Sequence, residues 1–313
     1  MSRPKENRMA PSIRYAAFVL ALTLSALCAR DAGAAAGETG FAFLKLGVGA
    51  RPMGMGSAYV ALADDPTAIY WNPAGLASVT GTQVTAMHNE WIQDFRQEFA
   101  AVGTKLGPGT IGFSFAGFYT SELEERSDTG VLTGHFGFND VAMTGAYGLN
   151  VARGLDVGLA TRYLREMIDV EDATTLTFDL GGKYRVAETG LSLGAAVQNL
   201  GGDPTLVVEK IPLPTIVRAG AALSRGMGSL HGKGTLTAEV RKARSEDARF
   251  HVGGEFEYKE RVALRAGAKF GYDDEKMSFG LGLIQRRFHF DYALVPFSSN
   301  LGTTHFVSIN ARL

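Results

Sequence analysis

The chain has 313 residues and carries 31 Lys and Arg against 32 Asp and Glu, a formal net charge of −1. Because 46% of the residues are hydrophobic and the charges balance, the composition excludes a disordered chain and a basic nucleic-acid-binding protein. Glycine is frequent, with 39 residues, whereas the usual share of about 7% would give roughly half as many.

The first 36 residues have the three parts of a secretory signal peptide. A basic region precedes a hydrophobic stretch over residues 15–28, and Ala-x-Ala cleavage frames follow at residues 32–36. The hydrophobic stretch is shorter than the roughly 20 residues that a membrane-spanning helix needs. We therefore predict a signal peptide at 1–36. Its removal takes away the single cysteine, Cys28, so the mature chain has no disulfide and no thiolate metal site.

Residues 37–81 show no strand alternation and contain two predicted helix starts. Asp65 precedes Pro66 and Asn72 precedes Pro73, and each pair combines a favourable N-cap with proline at the first helical position. For the acidic pair Asp64–Asp65, we favour a helix cap at Asp65 beside a solvated Asp64 over a cation site. Asn72 is likewise interpreted as a cap.

From residue 82 to the end, apolar and polar residues alternate in segments of about ten. Within residues 261–272, for example, Val262, Leu264 and Phe270 lie on one face, and Arg261, Arg265 and Lys269 on the other. A period of two predicts strands and does not fit a helix. We count about fourteen segments: 82–90, 95–106, 109–120, 137–151, 154–166, 173–187, 190–200, 214–225, 232–242, 247–259, 260–272, 275–285, 286–297 and 303–313.

Two architectures compete for these strands. A soluble sandwich or propeller would bury the apolar face, whereas a membrane barrel turns it towards lipid and encloses the polar face. Segments of 10–13 residues suit a membrane barrel, whose strands need roughly 9–11 residues. We predict an all-β fold: a transmembrane antiparallel β-barrel of about 14 strands over 82–313, with a partly helical N-terminal hatch or plug at 37–81.

The N-terminal segment provides a family resemblance. Residues 49–75 read GARPMGMGSAYVALADDPTAIYWNPAG, which resembles the N-terminal signature of the PorV/PorQ family, a branch of the FadL-like outer-membrane barrels. The segments 197–201 and 290–306 are similar to that family too. The motif residues that we assign to the hatch are Gly49, Arg51, Gly54, Gly56, Asp64, Asp65, Asn72 and Pro73.

The resemblance implies a fourteen-stranded barrel in the cell outer membrane, in contact with its lipid, with the N-terminal segment folded into the lumen. PorV-like members bind the C-terminal signal domains of secreted cargo in type IX secretion, and FadL-like relatives move hydrophobic small molecules. The leading hypothesis is a non-enzymatic barrel that binds cargo proteins and other secretion components. The alternative is a transporter of hydrophobic small molecules, and a third possibility is a soluble secreted β protein.

The residue patterns indicate no catalytic, cofactor or metal site, and we predict no enzyme and no nucleic-acid partner. The six histidines are scattered, although His251 and His289 both fall on predicted lumen faces and would there bond to carboxylates. Glu255 and Glu257 share one strand face, and basic residues on neighbouring segments, Arg249, Arg265 and Lys269, can neutralise them.

Two predicted connections differ in character. Residues 121–136 are acidic and are expected to be a solvated loop. The connection 201–214 instead contains apolar residues, namely Leu206, Val207, Val208 and Ile211. Exposed apolar side chains in a loop indicate either a partner-binding surface or hydrophobic entry port, or packing into the barrel mouth. We retain these four as a candidate partner-binding loop.

Overall fold

Fourteen long strands close into one antiparallel barrel in the part of the chain that the structure describes. The computed structural model describes residues 39–206 and 209–313, so the predicted signal peptide, Val207 and Val208 lie outside the described residues. The barrel strands are β1 (Thr82–Glu90), β2 (Arg96–Leu106), β3 (Gly109–Arg126), β4 (Leu132–Ala152), β5 (Leu155–Ile168), β6 (Glu171–Arg185), β7 (Leu191–Gly201), β10 (Ile216–Met227), β11 (Gly232–Ala243), β12 (Arg249–Tyr258), β13 (Val262–Phe270), β14 (Met277–Gln285), β15 (Phe288–Pro296) and β16 (Thr303–Arg312).

Closure joins the first strand to the last. Ala86 of β1 pairs with Ala100 of β2 on one side and with Ile309 of β16 on the other. The remaining strands follow chain order, except that β7 pairs with β10. A two-residue hairpin, β8 (Thr205–Leu206) and β9 (Glu209–Lys210), stands in the connection between them. Because the first and last strands pair, no strand edge is left with backbone N–H and C=O groups that lipid could not hydrogen-bond.

The apolar face of the strands points outwards. In β13, Leu264 is 58% exposed, whereas the next residue, Arg265, is 7% exposed. In β11, Leu236 is 68% exposed and Glu239 is 3% exposed. This arrangement reverses that of a soluble β protein and matches a barrel whose outside faces lipid. The predicted barrel is confirmed, and the soluble secreted alternative is wrong.

Strands β3 and β4 extend beyond the predicted segments. We expected a loop over 121–136, but pairing continues past a bulge, with Leu123 opposite Phe136 and Glu124 opposite His135. This hairpin extension is largely exposed on both faces. Because neither face is buried, these strands can pair without alternating apolar and polar residues. The sequence periodicity therefore did not predict this extension.

The helices are short and, apart from one turn, lie before the barrel. Their bounds are Ala42–Lys45, Ala50–Gly54, Ala68–Trp71, Pro73–Ser78 and Gly228–Leu230. None of the helices in the described ranges is long and apolar enough to cross a membrane. The side chain of Asn72 caps Pro73–Ser78 as expected, accepting a hydrogen bond from the Ala74 N–H at 3.2 Å. The helix expected at Pro66 begins instead at Ala68, and Asp65 accepts from the Thr67 N–H in the turn before it.

Residues 39–81, here called the plug, occupy the barrel lumen. Four of its large side chains, Trp71, Tyr59, Met53 and Ile69, are fully buried and form one apolar cluster with inward-facing wall residues such as Phe306. The core of this protein is therefore the interface between the plug and the inside of the barrel.

The two ends of the barrel differ. One end has mostly tight turns, such as 107–108, 153–154 and 286–287, and it also contains the start of β1 and the end of β16. We call it the short-turn end. The opposite end has mostly longer connections, including 202–215, 244–248, 271–276 and 297–302, and is called the long-loop end.

Candidate functional site

The plug backbone lies against glycines in the barrel wall. A Cβ atom on Gly267 of β13 would stand 2.0 Å from the backbone N of Gly56. One on Gly54 would stand 3.0 Å from Cα of Gly280 in β14. Gly56 also has a φ of +63°, which disfavours other residues. Gly49, another motif glycine, has a φ of +86° where the chain enters the helix Ala50–Gly54. The glycines thus allow the plug and the wall to meet backbone to backbone.

Arg51 links the plug to β12 through a fully formed ionic cluster. Its Nε and Nη2 atoms each donate to one oxygen of Glu255, at 2.9 Å in both cases. Its Nη1 atom donates to Asp64 at 2.8 Å and to the hydroxyl of Tyr59 at 3.1 Å. Arg265 approaches Glu255 from β13 at 2.6 Å. Bidentate pairing of a guanidinium with a carboxylate is both strong and geometrically specific.

The pKa values of the two neighbouring acids of the plug shift in opposite directions. Burial raises the pKa of Asp64, but Arg51 and Lys183 together outweigh burial and hold this pKa below its ordinary value of 3.8. Burial raises the pKa of Asp65, and the charge of Asp64 raises it further. Burial also raises the pKa of Tyr59 well above 10.0. Asp64 is therefore an ion-pair partner, whereas Asp65 accepts hydrogen bonds from Thr67 and Tyr59.

A second anchor lies on β11. Its Glu239 side chain accepts two hydrogen bonds at Oε2 from the plug, from the backbone N–H groups of Tyr59 and Val60, each at 2.9 Å. Its Oε1 accepts from Arg218 Nη1 at 2.7 Å. The guanidinium of Arg218 also lies 4.9 Å from the ring centroid of Trp71, a cation–π distance.

Asn72 and Pro73 lie against β5 and β6. Besides its cap, Asn72 donates through Nδ2 to the carbonyls of Val60 at 2.8 Å and Gly182 at 3.1 Å. A Cβ on Gly158 of β5 would stand 2.2 Å from the carbonyl carbon of Pro73. All eight motif residues therefore lie in the plug, and the structure gathers Arg51, Asp64 and Asp65 into one cluster, with the others at separate wall contacts.

A cavity of about 370 Å³ lies on top of the plug at the long-loop end. Aromatic residues from plug, wall and loops line it: Trp71, Trp91, Tyr272 and Phe297. The rings of Trp91 and Phe297 meet edge to face at 5.3 Å. Cationic side chains also line it, namely Lys45, Arg218, Arg241, Arg249 and Lys269. The volume is within the range of about 300–1,000 Å³ typical of small-molecule sites.

Glu246, in the loop after β11, is shared by three cations of this cavity. Lys45 donates to it at 3.0 Å and Arg241 at 2.9 Å, and Arg249 lies 3.4 Å away. Burial opposes ionisation of Glu246, but Arg241 and Lys45 outweigh burial and lower its pKa below the ordinary value of 4.5. The carboxylate is therefore charged at neutral pH, and the cluster retains a positive excess.

Two expectations for polar lumen residues need correction. Within the described residues His251 has no hydrogen bond to a carboxylate: its Nδ1 lies 2.8 Å from the Gly56 carbonyl and its Nε2 lies 3.0 Å from the Tyr272 hydroxyl. Since a carbonyl only accepts, Nδ1 carries the proton. Of the three bases expected to neutralise Glu255, only Arg265 pairs with it, because Arg249 and Lys269 instead pair with Glu246 and Glu275. His289 is half-buried on β15.

The apolar residues of the 202–215 connection lie close to the start of the plug. Leu206 packs against a second apolar cluster that includes Phe41, Phe43 and Leu213. Ile211 approaches so closely that a Cβ on Gly40 would overlap its side chain. The two described members of the candidate partner-binding loop therefore lie at the barrel mouth beside the plug.

Sequence reasoning assigned His251, Arg249 and Lys269 to polar strand faces but did not predict that they line a cavity. Arg241 shares a strand face with Glu239, and alternation alone would have placed both in the lumen. No local pattern connects Arg241 with Lys45, Glu246 and Trp91, because the barrel joins them over distances of up to about 200 residues in sequence. Within 39–206 and 209–313 no group of three or more His, Cys, Asp or Glu could hold a metal ion.

Comparison with protein families gives one match. The model of an uncharacterised protein family, UPF0164, matches residues 19–172, which cover the hydrophobic N-terminal stretch, the plug and the first strands. No curated protein sequence matches the chain.

Several solved structures share this fold. The toluene transporter TbuX of Ralstonia pickettii has a TM-score of 0.60 at 14% identity, covering 85% of this chain and 98% of its own. The monoaromatic hydrocarbon channel CymD has a TM-score of 0.63 at 12% identity, covering 86% and 98%. A FadL homologue of Pseudomonas aeruginosa has a TM-score of 0.54 at 11% identity, covering 85% and 98%. The chain has the fold of a FadL-like outer-membrane barrel.

Proposed function

We propose that this protein is an outer-membrane channel for small hydrophobic molecules and that the plug controls passage through it. The observation that supports this most directly is the aromatic cavity on top of the plug at the long-loop end. In outer-membrane barrels short turns face the periplasm and longer loops face the exterior. The cavity would therefore face the outside of the cell, where a substrate arrives, and the plug would lie between it and the periplasm.

Passage requires the plug to move, because its core side chains fill the lumen. A reversible lock tests this requirement. The backbone N of Ala50 lies 3.1 Å from Oγ of Ser308 in β16, so a disulfide between Ala50→Cys and Ser308→Cys would tie plug to wall. The natural chain has one cysteine, so it offers no intramolecular disulfide of its own.

The experiment measures uptake of labelled toluene by cells that express the protein in place of their own channels of this class. We expect uptake above that of empty-vector cells, loss of uptake when the double-cysteine variant is oxidised, and recovery when it is reduced. Each single-cysteine variant is the control and should transport throughout. Uptake no greater than in empty-vector cells would contradict the proposal.

Export and location form part of the same proposal. We infer that residues 1–36 direct the chain across the inner membrane and are removed, after which the barrel enters the outer membrane. Amino-terminal sequencing of the protein from purified outer membranes should then begin at Gly37. A mature chain that still contained residues 15–28 would contradict this inference.

The second candidate function is binding of secreted cargo, as the PorV/PorQ resemblance of residues 49–75 implies. The comparisons give it less support than the channel, since the similar structures bear the names of hydrocarbon channels. Its test is mass spectrometry of proteins that co-purify with the solubilised barrel. Secreted proteins with a shared C-terminal domain, lost with Leu206→Asp and Ile211→Asp but retained with Leu230→Asp at the other end, would favour cargo binding.

A further inference from the structure

A groove of about 520 Å³ lies on the outer face of the barrel wall, across strands β10 to β13. Large apolar side chains on the lipid-facing side of these strands line it: Leu223, Leu236, Phe256 and Leu264. Gly234 and Gly254 also line the groove, and their missing side chains leave space between the larger ones. The groove therefore has the size and the apolar surface to hold a hydrocarbon chain.

One cation lies in this groove. Arg225 alternates with Leu223 and Met227 along β10, so it belongs to the lipid-facing side of the strand, and it is exposed. Within residues 39–206 and 209–313, its guanidinium donates no hydrogen bond and forms no ion pair. A guanidinium has five N–H donors and a hydrocarbon chain has no acceptor. Arg225 therefore needs an acceptor from outside the protein.

The groove continues into a depression at the short-turn end. The depression has a volume of about 530 Å³, and Met227 lines both the groove and the depression. The ammonium of Lys259, which lines the depression, lies 5.0 Å from the ring centroid of Tyr258. Tyr258 is an exposed aromatic residue at the end of β12. Aromatic residues at strand ends are typical of the boundary between hydrocarbon and headgroups.

Cations outnumber acids in this part of the short-turn end. Residues 225–233, 257–261 and 285–288 contain six exposed cations, namely Arg225, Lys233, Lys259, Arg261, Arg286 and Arg287. The same stretches contain two acids, Glu257 and Glu260. In the part of the chain that the structure describes, none of the six cations forms an ion pair with an acid. Unpaired basic residues at a membrane surface attract anionic lipids.

Two other grooves on the outer wall lack this combination. The groove over β1 to β4 is lined by uncharged residues, including Val102, Phe113 and Met143. In the groove over β14 to β16, β1 and β2, Nδ1 of His88 lies 2.7 Å from a carboxylate oxygen of Glu98, so these two side chains satisfy each other. Of these three grooves, the one at β10 to β13 combines an apolar channel with an unpaired cation.

We propose that the groove at β10 to β13 binds an anionic phospholipid, with its phosphate on the guanidinium of Arg225 and one acyl chain along Leu236 and Leu264. A guanidinium can bind two phosphate oxygens at once, and Lys233 and Lys259 in the adjoining depression add positive charge. Short turns of outer-membrane barrels face the periplasm, so the lipid belongs to the periplasmic leaflet. The inference goes beyond the proposed channel and requires the membrane barrel, not transport.

Native mass spectrometry of the barrel from neutral detergent tests the lipid preference. The detergent contains equal concentrations of phosphatidylglycerol and phosphatidylcholine with identical acyl chains, so the two lipids differ only in the headgroup. We expect the adduct with phosphatidylglycerol to exceed the adduct with phosphatidylcholine at least fivefold. Equal abundance of the two adducts would overturn the proposal.

Arg225→Gln locates the phosphate. This substitution should reduce the preference for phosphatidylglycerol to twofold or less, and it should leave the fold intact because Arg225 is exposed and unpaired. Arg153→Gln is the matched control, since it removes an exposed cation from the turn between β4 and β5 at the same end of the barrel. An unchanged preference in Arg225→Gln, or an equal loss in Arg153→Gln, would overturn the assignment.

Gly254→Leu tests the acyl chain. A Cβ at Gly254 would lie 3.6 Å from Leu236, an ordinary contact, so the backbone need not move while the leucine fills the groove. The preference for phosphatidylglycerol should again fall to twofold or less, although Arg225 is still present. Gly145→Leu, the same change in the groove over β1 to β4, is the control and should keep the preference. Undiminished preference in Gly254→Leu would contradict the acyl-chain site.

Glycerol 1-phosphate distinguishes a lipid site from a site for a free anion. It has a phosphate but no acyl chain, so a tenfold excess over phosphatidylglycerol should leave the lipid adduct unchanged. Displacement of the lipid by glycerol 1-phosphate would show that the anion binds without the groove and would overturn the lipid assignment.

Discussion

Asp64 and Asp65 are adjacent in sequence but have different roles at the residue scale. Asp64 forms an ion pair with Arg51, whereas Asp65 accepts hydrogen bonds and is repelled by the negative charge of Asp64. We expect Asp64→Asn to lower the free energy of unfolding at pH 7. Because the Asp64 side chain is 36% exposed, solvent screening limits the loss to about 1 kcal/mol. Asp65→Asn should cost nothing or stabilise slightly, since asparagine still accepts from Thr67.

The pH dependence of these variants gives a second check. The pKa of Asp64 is lowered by folding, so its contribution is present above the ordinary 3.8 and lost as pH falls through the folded value. The pKa of Asp65 is raised, so its ionisation costs stability increasingly as pH rises above 3.8. Urea unfolding from pH 7 to pH 3 should show the Asp64→Asn deficit becoming smaller as the pH falls below about 4. A deficit of the same size at pH 7 and pH 3 would contradict the ion-pair role.

At the scale of elements, the contact between plug and wall depends on glycines on both sides. Gly267→Ala places a Cβ 2.0 Å from the Gly56 nitrogen, so the plug must shift. We expect a loss of about 1–3 kcal/mol in the free energy of unfolding. Ion conductance in planar bilayers should also rise.

Gly182→Ala is the control for that substitution. Gly182 lies in β6, and a Cβ there would meet nothing within 4 Å. Its stability and conductance should match those of the natural protein. If both variants behaved alike, close packing of the plug against β13 would not be what seals the lumen.

At the scale of the whole molecule, the exposed apolar side chains form the surface that meets lipid. Leu281, at the middle of β14, is 42% exposed. Leu281→Arg should therefore destabilise the barrel in lipid vesicles by about 2–4 kcal/mol, the range for a cation near the bilayer midplane. Leu230→Arg, in the turn after β10, should cost about 1 kcal/mol or less. Similar losses in both variants would show that Leu281 does not face the bilayer core.

The barrel was predictable because alternation is a local property. Leu264 and Arg265 are consecutive, and side chains alternate between the two faces of a strand, so Leu264 points to lipid when Arg265 points into the lumen. Strand ends were less certain where no face is buried, as in the extension of β3 and β4. The cap at Asn72 was also visible, because a cap acts over two or three residues. The predicted cap at Asp65 was wrong: Thr67 holds the N-cap position of Ala68–Trp71, and Asp65 accepts from the Thr67 N–H in the turn before it.

The sequence alone therefore determined the all-β class, the approximate strand count and the distinction between a plug segment and the barrel. Only the tertiary structure decided which wall residue meets which part of the plug: Arg51 with Glu255, Glu239 with Tyr59, and Lys45 with Glu246. A period of two reports which side of the sheet a residue occupies, whereas closing the sheet determines which residues face one another across the lumen.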